Sequence, residues 1–164
     1  MEQHAFLEHA INRYGKATYN FAYRLTGNPA DASDLTQEAF IRVFRAWQSF
    51  KPGTSFLSWI YRIVTNLHRD ELRRRKGRYQ EESEPAVHPI EEYVEGHLSE
   101  PVSKALADLT PDQRQIVLLA DVEECSYEEI GKIVGCSVGT VRSRLHRARG
   151  QLRKLVNQYM KSSP

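Results

Sequence analysis

The sequence predicts an all-α fold: two small helical domains joined by a flexible acidic linker, the C-terminal one a helix–turn–helix. Three observations carry this. Apolar residues recur at helical spacing through both ends of the 164-residue chain, with no convincing strand pattern between them. The stretch from Ser126 to Val156 reads as two helices around a tight turn. Between Glu81 and Glu100 lie seven acids and no Lys or Arg, with Pro85, Pro89 and Gly96, a composition too polar to bury a core. The expected division is a domain over 1–78, a linker over 79–101 and a second domain over 102–164.

In chain order, Phe6, Leu7, Ala10, Ile11 and Tyr14 share one face of an opening helix. A second helix is expected from Lys16 to Leu25, ending before Gly27-Asn28-Pro29. The next covers Asp31 to Trp47, with Leu35, Ala39, Phe40, Val43, Phe44 and Trp47 inward. Its outer face carries Asp34, Gln37, Glu38 and Arg42. Acids near the start of a helix are favoured by its dipole, so the pattern alone leaves a structural role and a binding role equally open.

Ser49 to Thr54 is a loop, with Pro52-Gly53 as the turn signal and Thr54 or Ser55 available to cap the next helix. From Phe56 that helix carries two stripes. Phe56, Ile60, Ile63 and Leu67 make a core face; Trp59, Arg62, Asn66, Arg69 and Arg73 make another at spacings of three and four. An aromatic, an amide and three arginines in line suit a single nucleic-acid strand, stacking a base and pairing with phosphates; Trp59 equally suits a core.

Helical periodicity resumes at Val102 through Ala105, Leu106 and Leu109. Thr110-Pro111-x-Gln113 supplies a cap, a first-position proline and a capping amide. Ile116, Val117, Leu119 and Ala120 then offer a core for the helix–turn–helix. Within it, Ser126 and Glu129 have capping-box spacing, and Ile130, Ile133 and Val134 form an apolar face. Gly131 is small enough for close helix approach, Gly135 suits a left-handed turn position and Ser137 can cap the second helix. That helix has Val141, Leu145, Ala148 and Leu152 as its core stripe. Its other face carries Arg142, Ser143, Arg144, His146, Arg147 and Arg149, and from Thr140 to Lys161 there are seven Lys or Arg and no acid. A helix–turn–helix lays the start of its second helix in the DNA major groove with cations on the flanking phosphates. Charge by itself would also fit a solvated basic surface.

The chain has 23 basic and 21 acidic residues, unevenly spread: Arg62 to Arg78 holds seven basic and two acidic. Two basic surfaces flanking an acidic spacer point to two contacts with a polyanion. With no signal peptide and no apolar run of membrane-spanning length, a cytoplasmic location without membrane insertion is expected. Cys125 and Cys136 fit no common zinc spacing and read as small packing residues, with a redox role the lesser alternative. No paired carboxylate, nucleophile–base pair or metal cluster stands out, so an enzyme, a metal site and a cofactor are not expected.

Three segments together resemble one family. Asp34-Leu35-Thr36-Gln37-Glu38-Ala39-Phe40, then Phe56-Leu57-Ser58-Trp59-Ile60-Tyr61-Arg62-Ile63-Val64-Thr65-Asn66, and finally Ser126-Tyr127-Glu128-Glu129-Ile130 with Val138-Gly139-Thr140-Val141-Arg142-Ser143-Arg144 are similar to the extracytoplasmic-function (ECF) sigma factors of bacteria. The likeness runs from about Ala5 to Tyr159. It implies a stress-response transcription factor whose N-terminal domain docks on core RNA polymerase, at the β′ clamp helices, through Asp34, Gln37, Glu38 and Arg42, with further contacts to the β subunit. It implies capture of the promoter −10 element as single strand by Ser49, Phe50, Lys51, Ser55, Trp59, Arg62, Asn66, Arg69 and Arg73. The −35 element would be read as duplex by Ser137, Gly139, Thr140, Arg142, Ser143, Arg144, His146 and Arg147. The acidic linker would lie in the polymerase cleft, its roughly twenty residues spanning up to roughly 70 Å extended. An anti-sigma factor is the implied inhibitor. The alternative is a stand-alone helix–turn–helix regulator that binds DNA without polymerase.

Overall fold

The structure, a computed structural model, describes residues 2–77 and 98–162. The chain divides into two compact units, Met1–Ile90 and Glu91–Pro164. Of the expected linker only residues 98–101 are among those described, and Glu100 and Pro101 already belong to a helix.

In the first unit α1 spans Glu2–Thr26, α2 Pro29–Arg45 and α3 Phe56–Gly77, with a 3₁₀ turn at Trp47–Ser49. The break expected near Gly15 does not occur; α1 is one 25-residue helix. A mid-helix glycine costs about 1 kcal/mol. Burial of Ala10, Thr18, Phe21, Ala22 and Leu25 along α1 outweighs it. The chain turns at Gly27, whose φ of 68° is glycine territory. Asn28 then caps α2, its Oδ1 accepting the Asp31 N–H at 3.1 Å, with Pro29 in the first turn.

The core face of α3 differs from the expected one. Phe56, Ile60, Tyr61, Val64 and Thr65 are buried, whereas Ile63 and Leu67 are only half-buried. The reason is that α3 packs on α1 and α2 together, which buries a wider arc than a single neighbour would. Tyr61 reaches the Phe21 ring at 4.4 Å in the centre of this core. On α2, Ala39, Phe40 and Val43 are buried as expected, while Leu35, Phe44 and Trp47 are half-buried.

The second unit contains α4 (Glu100–Asp108), α5 (Pro111–Val117) running into a π-helical turn (Leu118–Val122), α6 (Tyr127–Val134) and α7 (Val138–Ser162). Its core comprises Leu106, Leu109, Ile116 to Leu119, Ile130, Ile133, Val141, Leu145 and Ala148. Ala120, expected in that core, is half-exposed, and Gln115 is buried in its stead. Among the described residues there is no strand, and no helix is long and apolar enough to cross a membrane.

Side-chain caps fix the short helices. Thr110 with Gln113, and Ser126 with Glu129, each form a complete capping box, with all four bonds near 3.1–3.3 Å. Arg114 closes the C-terminus of α4, donating from Nε to Leu106 O at 2.8 Å and from Nη2 to Ala107 O and Leu109 O at 2.8 and 3.1 Å. These are the carbonyls a helix end leaves open. Burial of this guanidinium lowers its pKa, an effect partly opposed by Asp108.

Candidate nucleic-acid interface

The turn between α6 and α7 is built from two glycines with different tasks. Gly135, at φ 77°, is the left-handed residue that ends α6, and its N–H and that of Cys136 both donate to Gly131 O, at 2.8 and 2.9 Å. Gly131 is required for space: a Cβ there would lie 2.7 Å from the Cys136 carbonyl oxygen. Ser137 then caps α7, its Oγ accepting the Thr140 N–H at 3.2 Å and lying 3.0 Å from Thr140 Oγ1.

With Val141, Leu145 and Ala148 buried, α7 leaves Arg142, Ser143, Arg144, His146 and Arg147 exposed. Ser137 and Gly139 are exposed at the helix start and Thr140 is half-exposed. Of the eight residues expected on the −35 side, seven therefore lie on the first three turns of α7 and the eighth, Ser137, caps it. Arg149 does not join them. Its Nη2 and Nε donate to Asp121 Oδ1 and Oδ2 at 2.6 and 3.0 Å, a bidentate pair that binds α7 to the π-helical turn. That pair, and then a hydrogen bond to Tyr127, raise the pKa of the guanidinium. The sequence gives Tyr127 no role beyond its place in the Ser126–Ile130 segment. Besides meeting Arg149, its ring supports the Arg142 guanidinium 5.9 Å from the ring centroid.

In the first unit the loop between the 3₁₀ turn and α3 is pinned by the Lys51 carbonyl, which accepts the Thr54 N–H at 3.2 Å and its hydroxyl at 2.6 Å. Gly53 takes φ 89° in that turn. Of the two possible caps, Ser55 serves, its Oγ accepting the Ser58 N–H at 3.2 Å. Ser49, Lys51, Ser55, Arg62, Asn66 and Arg73 are exposed, and Phe50, Trp59 and Arg69 half-buried. Trp59 satisfies both readings of the sequence: its ring packs 5.4 Å from Phe50 and 5.7 Å from Phe56, and part of it stays open to solvent.

The basic tail of α3 is less available than its composition implied. Arg74 pairs with Glu71 at 2.8 Å, and Arg75 bridges Glu71 and Asp31, each at 3.3 Å. Arg73 lies 4.0 Å from Asp70, the loosest of these contacts. On α2, Asp34 and Gln37 are exposed, and Glu38 and Arg42 form an exposed i, i+4 pair at 3.8 Å. One turn beyond Gln37, Ile41 is 43% exposed, an apolar member of this face that the sequence pattern did not single out.

Both cysteines are half-buried and free. Burial, with Glu129 and Glu123 nearby, pushes the Cys125 thiol up to about 12, so it stays protonated at neutral pH and is a poor nucleophile.

Two family models match the chain, Sigma-70 region 2 over residues 10–78 and Sigma-70 region 4 over residues 99–152. The ECF RNA polymerase sigma factor SigW of Bacillus subtilis is 34% identical over 168 aligned positions, covering 93% of this chain and 89% of that protein. The chain belongs to the ECF family of RNA polymerase sigma factors. The ECF sigma factor SigE of Mycolicibacterium smegmatis is 46% identical over 87% of this chain, which spans 58% of that relative's length. Among solved structures, the sigma factor RpoE of Bartonella quintana, in complex with the anti-sigma factor NepR, matches at a TM-score of 0.76 and 29% identity, covering 92% of this chain and 96% of that one. As an ECF sigma factor the chain is a transcription initiation factor, with region 2 in α1–α3 and region 4 in α4–α7.

Proposed function

We propose that this sigma factor binds core RNA polymerase and directs promoter-specific initiation, reading the −35 element as duplex and holding the −10 element as single strand. The observation that carries the reading is the groove face of α7, where Arg142, Ser143, Arg144, His146 and Arg147 are all exposed on a helix without a single acid. The domain limits we propose are 1–78 for region 2, 79–101 for the linker and 102–164 for region 4. Asp34, Gln37, Glu38 and Arg42 dock on the β′ clamp helices, and their exposure on one side of α2 supports this. Ser49, Phe50, Lys51 and Ser55 form the base pocket, with Trp59 stacking, Asn66 contacting base or backbone, and Arg62, Arg69 and Arg73 on phosphates. The chain catalyses nothing itself and works in the cytoplasm, where bacterial polymerase is. As the solved relative is held by NepR, so this chain is held inactive by an anti-sigma factor of its own.

Run-off transcription tests the core of this: the chain is added to core polymerase on fragments of the source genome and transcript starts are mapped. Transcripts that need both proteins support it. Tight duplex binding by the chain alone, with no added transcripts, would favour a stand-alone regulator. Asp34→Lys with Glu38→Lys reverses two charges on the docking face and is expected to weaken core binding by several kcal/mol. Wild-type co-purification of that double variant would place the docking surface elsewhere.

A further inference from the structure

Residues 3–6 of α1 precede the stretch matched by the Sigma-70 region 2 model, which begins at residue 10. They nevertheless touch each element from which the loop over residues 50–55 hangs. Gln3 Nε2 donates to Phe44 O at 2.7 Å, and the His4 ring lies 5.2 Å from the Phe44 ring, both in the last turn of α2. The Phe6 ring lies 6.2 Å from Trp47 in the 3₁₀ turn, 5.9 Å from Phe50 at the start of the loop and 6.2 Å from Phe56 at the start of α3. Phe50 in turn meets Phe56 at 5.7 Å and Trp59 at 5.4 Å. Rings at these separations prefer particular tilts, so each constrains the orientation of the next.

We infer that Phe6 is a positioning residue for single-strand capture, holding Phe50 and through it Trp59 so that a flipped base meets a preset aromatic surface. Phe6, Phe50 and Trp59 are each half-buried, and Phe50 sits between the other two rings in the chain of contacts. Stacking surfaces work best when their orientation is fixed before the base arrives, because ordering them on binding subtracts from affinity. Gln3 and His4 fasten the same end of α1 to α2 and so fix the point from which Phe6 reaches. This inference rests on the reading of the Ser49–Ser55 loop as the base pocket.

The test uses holoenzyme assembled from the full chain and core polymerase. It is challenged with single-stranded DNA carrying a randomised hexamer, and the retained strands are counted and sequenced. Phe6→Leu keeps an apolar side chain but removes the ring, and Phe6→Tyr keeps the ring. Retention by Phe6→Leu is expected to fall about tenfold with flattened base preference, as for a lost stacking contact. Phe6→Tyr should retain both, and both Phe6 variants should bind core polymerase within about twofold of wild type, since the proposed docking residues Asp34, Gln37, Glu38 and Arg42 are unchanged. Trp59→Leu with Lys51→Ala serves as the control for the pocket. If that control loses capture while Phe6→Leu keeps it, the pocket reading stands and the positioning role is wrong. When the control also leaves capture unchanged, the pocket reading fails and the inference goes with it. Loss of core binding in Phe6→Leu, or equal loss of capture in Phe6→Tyr, overturns the inference too, since either outcome makes Phe6 a general packing residue.

Discussion

The two units hold their helices in different ways. Around α1–α3, helices of 25, 17 and 22 residues lean on rings brought together from distant parts of the chain, with Phe6 meeting Trp47, Phe50 and Phe56. Helices α4, α5 and α6 have only 9, 7 and 8 residues. Isolated helices that short do not persist in water. They are fixed instead at their ends, by two capping boxes, by Arg114 on three carbonyls and by the Gly135 turn. On the proposed reading, the surface that admits an unpaired base rests on side-chain packing, and the one that enters a groove rests on backbone geometry.

The largest effect is expected from Phe56→Ala. Phe56 is 6% exposed and meets the rings of Phe6, Tyr14, Phe50 and Trp59. Removing it should cost about 3–5 kcal/mol. Both tryptophans, Trp47 and Trp59, lie in the first unit, so indole fluorescence during denaturation reports on that unit selectively. A shift of the fluorescence transition below about 1 kcal/mol would show that the rings do not support the unit.

Gly131→Ala should act on the other unit. Its Cβ would meet a backbone oxygen, which cannot swing aside as a side chain could, so a cost near the upper end of about 1–3 kcal/mol is expected. Far-UV circular dichroism should record it while the indole transition stays put. Accommodation without loss would mean the α6–α7 turn is more deformable than its two hydrogen bonds to Gly131 O imply.

The two kinds of support also differ in how legible they are from sequence. Caps and turns are local: Ser126 with Glu129, Thr110 with Gln113, and Gly135 are three residues apart or single positions, and each does what its spacing predicts. The eight residues placed at the start of α7 come out on one accessible face because Val141, Leu145 and Ala148 fix its rotation. Phe6 reads in sequence only as a core residue, because its own neighbours carry no sign of Trp47 or Phe50. Arg149 looks like its neighbours on the basic face until the fold brings Asp121, 28 residues away, against it. The α3 core is hidden for the same reason: one helix's periodicity does not say how many neighbours it will have.

A smaller change tests the local side. Ser126→Ala removes the cap acceptor of α6 and should cost about 1 kcal/mol. A loss under a few tenths, measured by the same denaturation, would leave Glu129 and tertiary packing as the real determinants of that helix start.

Cys125 should report opening of the second unit with little change in stability at all. With its pKa raised from near 9 to about 12, native protein carries roughly a thousandfold less thiolate than an ordinary cysteine below pH 9. In a Cys136→Ser background, alkylation at pH 8 should therefore track unfolding, and rise in the native state only as pH climbs toward the raised value. Rapid native alkylation at pH 8 would contradict the half-buried, acid-flanked setting.

The division of labour between the units is tested most directly by retention of promoter probes on holoenzyme, using a promoter located by run-off mapping. One probe is the upstream duplex and the other the single −10 strand. Arg142→Ala with Arg147→Ala is expected to weaken duplex retention at least about tenfold and spare the single strand, while Lys51→Ala with Trp59→Leu does the reverse. Equal losses on both probes from either pair, or none from both, would contradict the assignment of duplex reading to α7 and strand capture to the loop and α3.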